Sequence, residues 1–296
     1  MFFDKLPIGF YVEKAIDWMT DNFAGFFTGI KNGLEWMIEG GSDLLISIPP
    51  LVLIVLIAFL AWWVAGNGTG IFSLIGLLLI LNLGLWGNTM KTLALVISAT
   101  LIALIIGLPL GILMAKSNNA NKIIRPILDF MQTMPAFVYL IPAVYFFDLG
   151  TVPGAVATII FAMPPIVRLT SLGIRQVPAD VVEAARSFGA TPSQLLFKVQ
   201  VPLAVPTIMA GLNQTIMLSL SMVVISAMIG ADGLGKTVYE GITQMNIGKG
   251  FEGGLAVVIM AMLLDRITQR LGTAQKNSGK AFVNNFFNKR SENRTV

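Results

Sequence analysis

Apolar residues in this chain fall into blocks of about 20, set apart by short Gly-, Pro-, Asn- or charge-bearing breaks, close to the ~20 residues a helix needs to cross a ~30 Å hydrocarbon core. Seven spans are predicted, near residues 48–65, 71–86, 92–115, 127–147, 152–173, 202–229 and 250–267. The last is thin, with an uninterrupted apolar run only over 255–264, so it must borrow Gly253 and Gly254 or tilt little. Ahead of the first span, residues 8–45 set Phe10, Trp18, Phe23, Phe26, Phe27, Trp36 and Met37 among charges. That mixture predicts one or two amphipathic helices lying in the membrane interface. The pattern thus describes an all-α membrane protein of about seven transmembrane helices. Its parts are an interfacial, extracytoplasmic segment at 1–46, two additional spans at 47–87, a core at 88–268 containing a polar loop at 175–201, and a basic tail at 269–296.

Composition agrees. The chain is 55% hydrophobic and 12% charged, against roughly 25% charged in a soluble domain, and its mixed, acidic start does not predict a cleavable signal peptide. Cys and His are both absent. Their absence removes disulfides, thiol nucleophiles, Ser-His-Asp triads and the commonest zinc, iron and haem ligands, and with them most enzyme classes. No cofactor or metal is expected on this chain, and no carboxylate pair lies within a span to run acid–base chemistry.

The net charge of +4 and pI near 9.4 suggest nucleic acid until the cations are located. If 168–198 is cytoplasmic, alternation of the spans puts 14 of the 20 Lys and Arg residues inside and the N-terminus outside. Residues 1–43 carry seven acids against three lysines, as suits an external segment. This is the positive-inside bias, so the basic pI reflects topology in a bilayer and no nucleic-acid partner is expected. Arg270, Lys276, Lys280, Lys289, Arg290 and Arg294 place the tail against the anionic cytoplasmic leaflet.

The most informative polar segment reads VPADVVEAARSFGATPSQLLFKVQVPLAVP. Pro178 and Asp180 start a helix, Val181, Val182, Ala185 and Phe188 can share an apolar face, Gly189 ends it, and Thr191 opens a return into the membrane at Pro202. An apolar face protruding into water needs a partner or must lie on the bilayer. Glu183, Ala184 and Ala185, then Gly189, then Val199 and Val201 ahead of Pro202, resemble the EAA motif of ABC importer permeases, with Val where Ile and Leu are usual. Together with LDFMQTMPAFVYLIPAVYFF, GTVPGAVATIIFAMPPIVRLT, LGIRQVPAD and QTIMLSLSMVVISAMIGADGLG, the loop resembles the permease subunits of glycine betaine and proline betaine importers over roughly 88–268.

The resemblance implies a type I ABC importer permease core in a bacterial cytoplasmic membrane, taking up an osmoprotective quaternary ammonium solute; choline, carnitine and amino acids are the alternative solutes. It implies two permease copies, cytoplasmic ATPase subunits that hold ATP and Mg, and an external solute-binding protein. Glu183, Ala184, Ala185, Gly189, Val199 and Pro202 then belong to the ATPase-coupling loop. Only 29 residues follow Ile267, too few for a fused binding domain, so the external receptor is expected to be a separate chain.

One motif misleads. Gly230–Thr237, GADGLGKT, fits the phosphate-loop pattern, but it follows a long apolar run instead of a strand in a soluble α/β domain, and is expected to be an external turn without nucleotide. Uncharged polar residues within spans, Asn213 and Ser219 among them, either hydrogen-bond neighbouring helices or line a pathway. Asp129 and Asp265 are expected to pair locally with Arg125 and Arg266, leaving no free mid-membrane acid of the kind that ion-coupled carriers use. Gly107 and Gly111 have the spacing of close helix contact, and Pro109, Pro135, Pro142, Pro164 and Pro165 are expected to bend or interrupt their helices. Near those prolines, Phe137, Tyr139, Tyr145 and Phe146 either pack against lipid and core or face a cationic solute by cation–π contact.

Overall fold

The computed structural model describes residues 7–292. Lys5 and the basic side chains Lys276, Lys280, Lys289, Arg290 and Arg294 lie outside the described ones. Helices joined by short turns account for the described residues, with no strand among them.

Helix α1 (Ile8–Ser47) is the predicted interfacial segment, a 40-residue helix with one break in helical dihedrals at Phe23. Its second half is seated by Leu34 and Ile38, which share a core with Leu95, Val96, Val152 and Ala155. Pro49 and Pro50 then turn the chain by 104° into α2 (Pro50–Ala65), because proline fixes φ and cannot donate the helix hydrogen bond. α2 and α3 (Asn67–Asn82) form a hairpin about Gly66 and display Leu51, Val55, Phe59, Ile71 and Ile75 outward. These are side chains for lipid. Each helix has 16 residues, about 24 Å of rise, so the span expected at 71–86 is a helix of the same length that starts four residues earlier.

The core is a row of three helices, α7 (Thr151–Arg175) between α4 (Trp86–Lys116) and α10 (Val201–Ala227). Apolar surface gives helices no net reason to associate in lipid, so dispersion from close approach must do it. The expected pair of small residues supplies that approach. A Cβ on Gly111 would stand 2.7 Å from the Val167 carbonyl oxygen and 2.6 Å from Thr170 Cβ, and one on Gly107 2.6 Å from Ile166 Cγ2.

The predicted span 127–147 is corrected by the structure. It is two helices, α5 (Asn118–Thr133) and α6 (Ala136–Phe147), meeting at 98°. Pro135 removes a donor and biases Met134 to extended backbone, observed at φ −69° and ψ 136°. α5 is also only half apolar, with Leu128 buried and Lys122, Arg125 and Asp129 exposed; block hydropathy hid that amphipathic pattern. Of the five flagged prolines only Pro135 interrupts; Pro109, Pro142, Pro164 and Pro165 lie inside continuous helices.

Beyond the core, α11 (Leu234–Thr243) lies along the start of α12 (Ile247–Glu292). The thin last span is a full-length one: 26 residues over Ile247–Gly272 are long and apolar enough to cross. Among the described residues four helices meet that test, and six if each bent pair is one span. The 16-residue α3 is the seventh predicted element.

Candidate functional site

The chain leaves α7 and re-enters the bundle through a helical elbow. α8 (Ala179–Ser187) starts at Pro178, with Asp180 in its first turn and Arg186 in its last, both favourable to the helix dipole. It stops in a Schellman closure: the Gly189 N–H donates to the Arg186 carbonyl at 2.9 Å and the Ala190 N–H to the Ala185 carbonyl at 3.1 Å. Gly189 takes φ +79° there, the left-handed region that favours glycine. Thr191 and Gln194 then form a reciprocal capping box, at 3.3 and 3.0 Å, over the short α9 (Pro192–Gln194).

A π-helical turn, Leu195–Gln200, carries α9 into α10. Widening the helix here relieves the clash between the Pro202 ring and the carbonyl four residues earlier. Leu196 is the elbow's apolar root, buried with Ile174 and Ala204. The other side is bare. No residue of α8 is buried; Glu183 and Arg186 are exposed, Phe188 is 78% exposed, and the main support of α8 is the π-turn.

Sequence reasoning placed Glu183, Ala184, Ala185 and Gly189 on this helix and its stop and Pro202 at the re-entry, where the structure has them; Val199, expected just ahead of Pro202, lies in a π-turn that the sequence did not announce. It missed Arg175, which ends α7, donates to the Met114 carbonyl at 2.5 Å and to Asn118 Oδ1 at 3.2 Å, and so ties the elbow's root to the end of α4 and the start of α5. A lone arginine in the last turn of a span was the available signal.

Both acid pairings are corrected. Asp129 takes Arg168, at 2.6 Å, instead of Arg125. Asp265 accepts from Asn213 and Gln269, each at 2.7 Å, while Arg266 lies 5.0 Å over the Phe72 ring. Arg125 is close enough to Asp129 on α5 to pair, but Arg168 of the facing α7 reaches Asp129 and Gln132 together, while Arg266, next to Asp265 in the chain, points to another face of α12.

The candidate pathway residues do not converge. Tyr139 is buried and donates to the Met131 carbonyl across the α5–α6 break. Tyr145 donates to Asp17 at 2.8 Å, and Phe146 stacks on Phe27 at 4.3 Å, so both serve the seat of α1. Asn213 also accepts from Thr268 at 2.7 Å, Ser219 is buried against the Thr215 carbonyl, and Phe137 is exposed on α6.

At the opposite end of the bundle lies the phosphate-loop look-alike. Its Leu234 N–H donates to Thr92 Oγ1 at 2.8 Å and its Lys236 pairs with Asp232 at 2.9 Å, so its donors are taken by the chain itself. Asp232 also holds Lys91 at 2.9 Å, clasping α4 to the α10–α11 turn. Hydrogen bonds from Lys236 and Lys91 hold the Asp232 carboxyl below its ordinary value of 3.8. A carboxyl depressed on folding adds stability above its unfolded value and loses it as pH falls through the folded one. Thermal unfolding of purified protein is therefore expected to show wild type ahead of Asp232→Asn at pH 6, with the gap closing below about pH 4; a gap constant with pH would contradict the clasp.

Residues 107–276 match the family described as binding-protein-dependent transport system inner membrane component. The chain is 51% identical over 277 residues to the glycine betaine transport system permease protein OpuAB of Bacillus subtilis (strain 168), covering 94% of this chain and 98% of that one. It is 52% identical over 274 residues to the glycine betaine/proline betaine transport system permease protein ProW of Escherichia coli (strain K12), covering 93% and 77%. Its fold matches a chain of the MetNI methionine ABC transporter in an inward-facing conformation, with TM-score 0.58, 24% identity, and 62% and 92% coverage.

Proposed function

Since the chain belongs to the family of binding-protein-dependent transport system inner membrane components, a multi-pass membrane permease that leaves ATP hydrolysis to other chains, we propose that it imports glycine betaine or proline betaine. Two relatives matched along nearly all of this chain are named for those solutes. The reading extends to two copies of this chain, cytoplasmic ATPase subunits carrying ATP and Mg, and an external solute-binding protein. The N-terminus and α1 lie outside, α8 and the tail inside.

The observation that carries it is α8, a helix with no buried residue held out from the bundle by a Gly stop, a capping box and a buried leucine root. Ala184 and Ala185 let another surface come close, and Glu183 offers it a charge-assisted contact. A bare helix on so determined a mount fits a rigid knob for a socket on another protein. Movement of that socket turns α8, and the mount passes the turn to α7 and α10.

Photo-crosslinking tests this. A photoreactive residue at Arg186 is expected to join the ATPase subunit in the assembled complex, whereas adducts with lipid alone would sink the reading. The same protein lacks native Cys, so single cysteines report sidedness without background. Thr243→Cys, exposed on α11, is expected to react with an impermeant maleimide in intact cells, and Ser193→Cys, exposed on the elbow, only in inverted vesicles. The reverse pattern contradicts the orientation.

A further inference from the structure

Resting on the importer reading above, we propose that Arg168 is a positioning residue of transport, the link by which movement of the elbow reaches the broken α5–α6 span. Arg168 stands on α7 seven residues before the helix ends at Arg175, about 10 Å of rise back from that end. Its guanidinium donates to two groups three residues apart on one face of α5, to Asp129 at 2.6 Å and to Gln132.

The other attachments of α5 are apolar contacts and one bond at its start. Leu128 is its one buried residue, seated with the partly buried Ile124 and Met131 on Met114, Ile166 and Val167, and Asn118 at its start receives Arg175. Two arginines of α7 therefore hold α5, one near each end. The second of them, Arg175, is separated from α8 only by Gln176, Val177 and Pro178. Displacement of α8 thus displaces both handles.

What Arg168 holds is a single piece. The Tyr139 hydroxyl donates to the Met131 carbonyl, one of the carbonyls that the end of α5 leaves unpaired, and this fixes the 98° corner from within. When α7 moves, α5 carries α6 with it. α6 in turn meets α1, through the stack of Phe146 on Phe27 and the bond from Tyr145 to Asp17. One guanidinium connects the elbow to a corner that crosses half the bundle. Apolar contact alone, through Ile124, Leu128 and Met131, is not directional; a fork of donors on two acceptors fixes the register of α5.

The test separates positioning from folding. Arg168→Gln and Asp129→Asn are made in the full complex with ATPase and binding protein, in proteoliposomes, and both solute uptake and ATP hydrolysis are measured. Each variant is expected to hydrolyse ATP within about twofold of wild type while solute moved per ATP falls about tenfold, in the upper part of the range for positions that carry coupling. The exchanged pair, Arg168→Asp with Asp129→Arg, is expected to recover to within about threefold, since the partners are restored. Unchanged solute per ATP in both single variants overturns the proposal. So does a parallel fall of hydrolysis and uptake in singles and exchange alike, which marks a merely structural pair. A wild-type complex without ATP-dependent uptake would instead refute the importer reading itself.

Discussion

Replacing Gly189 by valine is expected to abolish most ATP-driven uptake while leaving the chain inserted and folded. A Cβ at this position would meet nothing within 4 Å, so bulk is not the difficulty. The backbone is: φ is +79°, and an L-residue pays about 1–2 kcal/mol there, more if β-branched. Valine escapes by rotating out, which breaks the two closing hydrogen bonds from Gly189 and Ala190 and re-aims α8 relative to α9. The bundle does not depend on α8, which has no buried residue, so membrane content and thermal unfolding are expected to stay near wild type. Uptake is expected to fall at least about tenfold, the rate equivalent of ~1.4 kcal/mol. Asparagine, which tolerates left-handed backbone, is expected to retain most activity. Equal loss in Gly189→Val and Gly189→Asn, or equal retention, would show that backbone conformation at the stop is not what matters.

Much of this site could be read from the chain because its signals are local. The Pro178 start, the Gly189 stop and the opening of the next element at Thr191 are each written within a few residues, and each appears as expected. Gly107 and Gly111 were legible for the same reason, as a spacing on one helix. Legibility ended where two helices meet. Asp129 beside Arg125, and Asp265 beside Arg266, are neighbours in sequence, but the fold gives Asp129 to Arg168 and Asp265 to Asn213. Hydropathy summed over 127–147 registered one span, because the amphipathic turns of α5 and the apolar α6 average to a single apolar block; Pro135 was the sign of the corner. The aromatics near the prolines share composition with a cation cage, yet Tyr145 and Phe146 turn to α1 and Tyr139 to Met131.

That dispersal of aromatics underlies the second large effect, the dependence of uptake on a separate receptor. Tight capture of a quaternary ammonium needs a desolvated cage of ring faces. Among the described residues of this chain the candidate rings face its own helices or stand apart, and Asn213 is engaged by Asp265 and Thr268. A permease must also hold solute weakly enough to let it go on the far side. Affinity is therefore expected to reside in the external binding protein, with this chain supplying the opening. The measurement that tests the account most directly is uptake of radiolabelled glycine betaine by proteoliposomes containing this permease and its ATPase, with ATP enclosed, before and after the binding protein is added outside. The account predicts uptake at background without the binding protein, rapid ATP-dependent accumulation once it is present, and none when ATP is replaced by a non-hydrolysable analogue. Full-rate accumulation with no binding protein, or accumulation driven by an ion gradient in the absence of ATP, would contradict it.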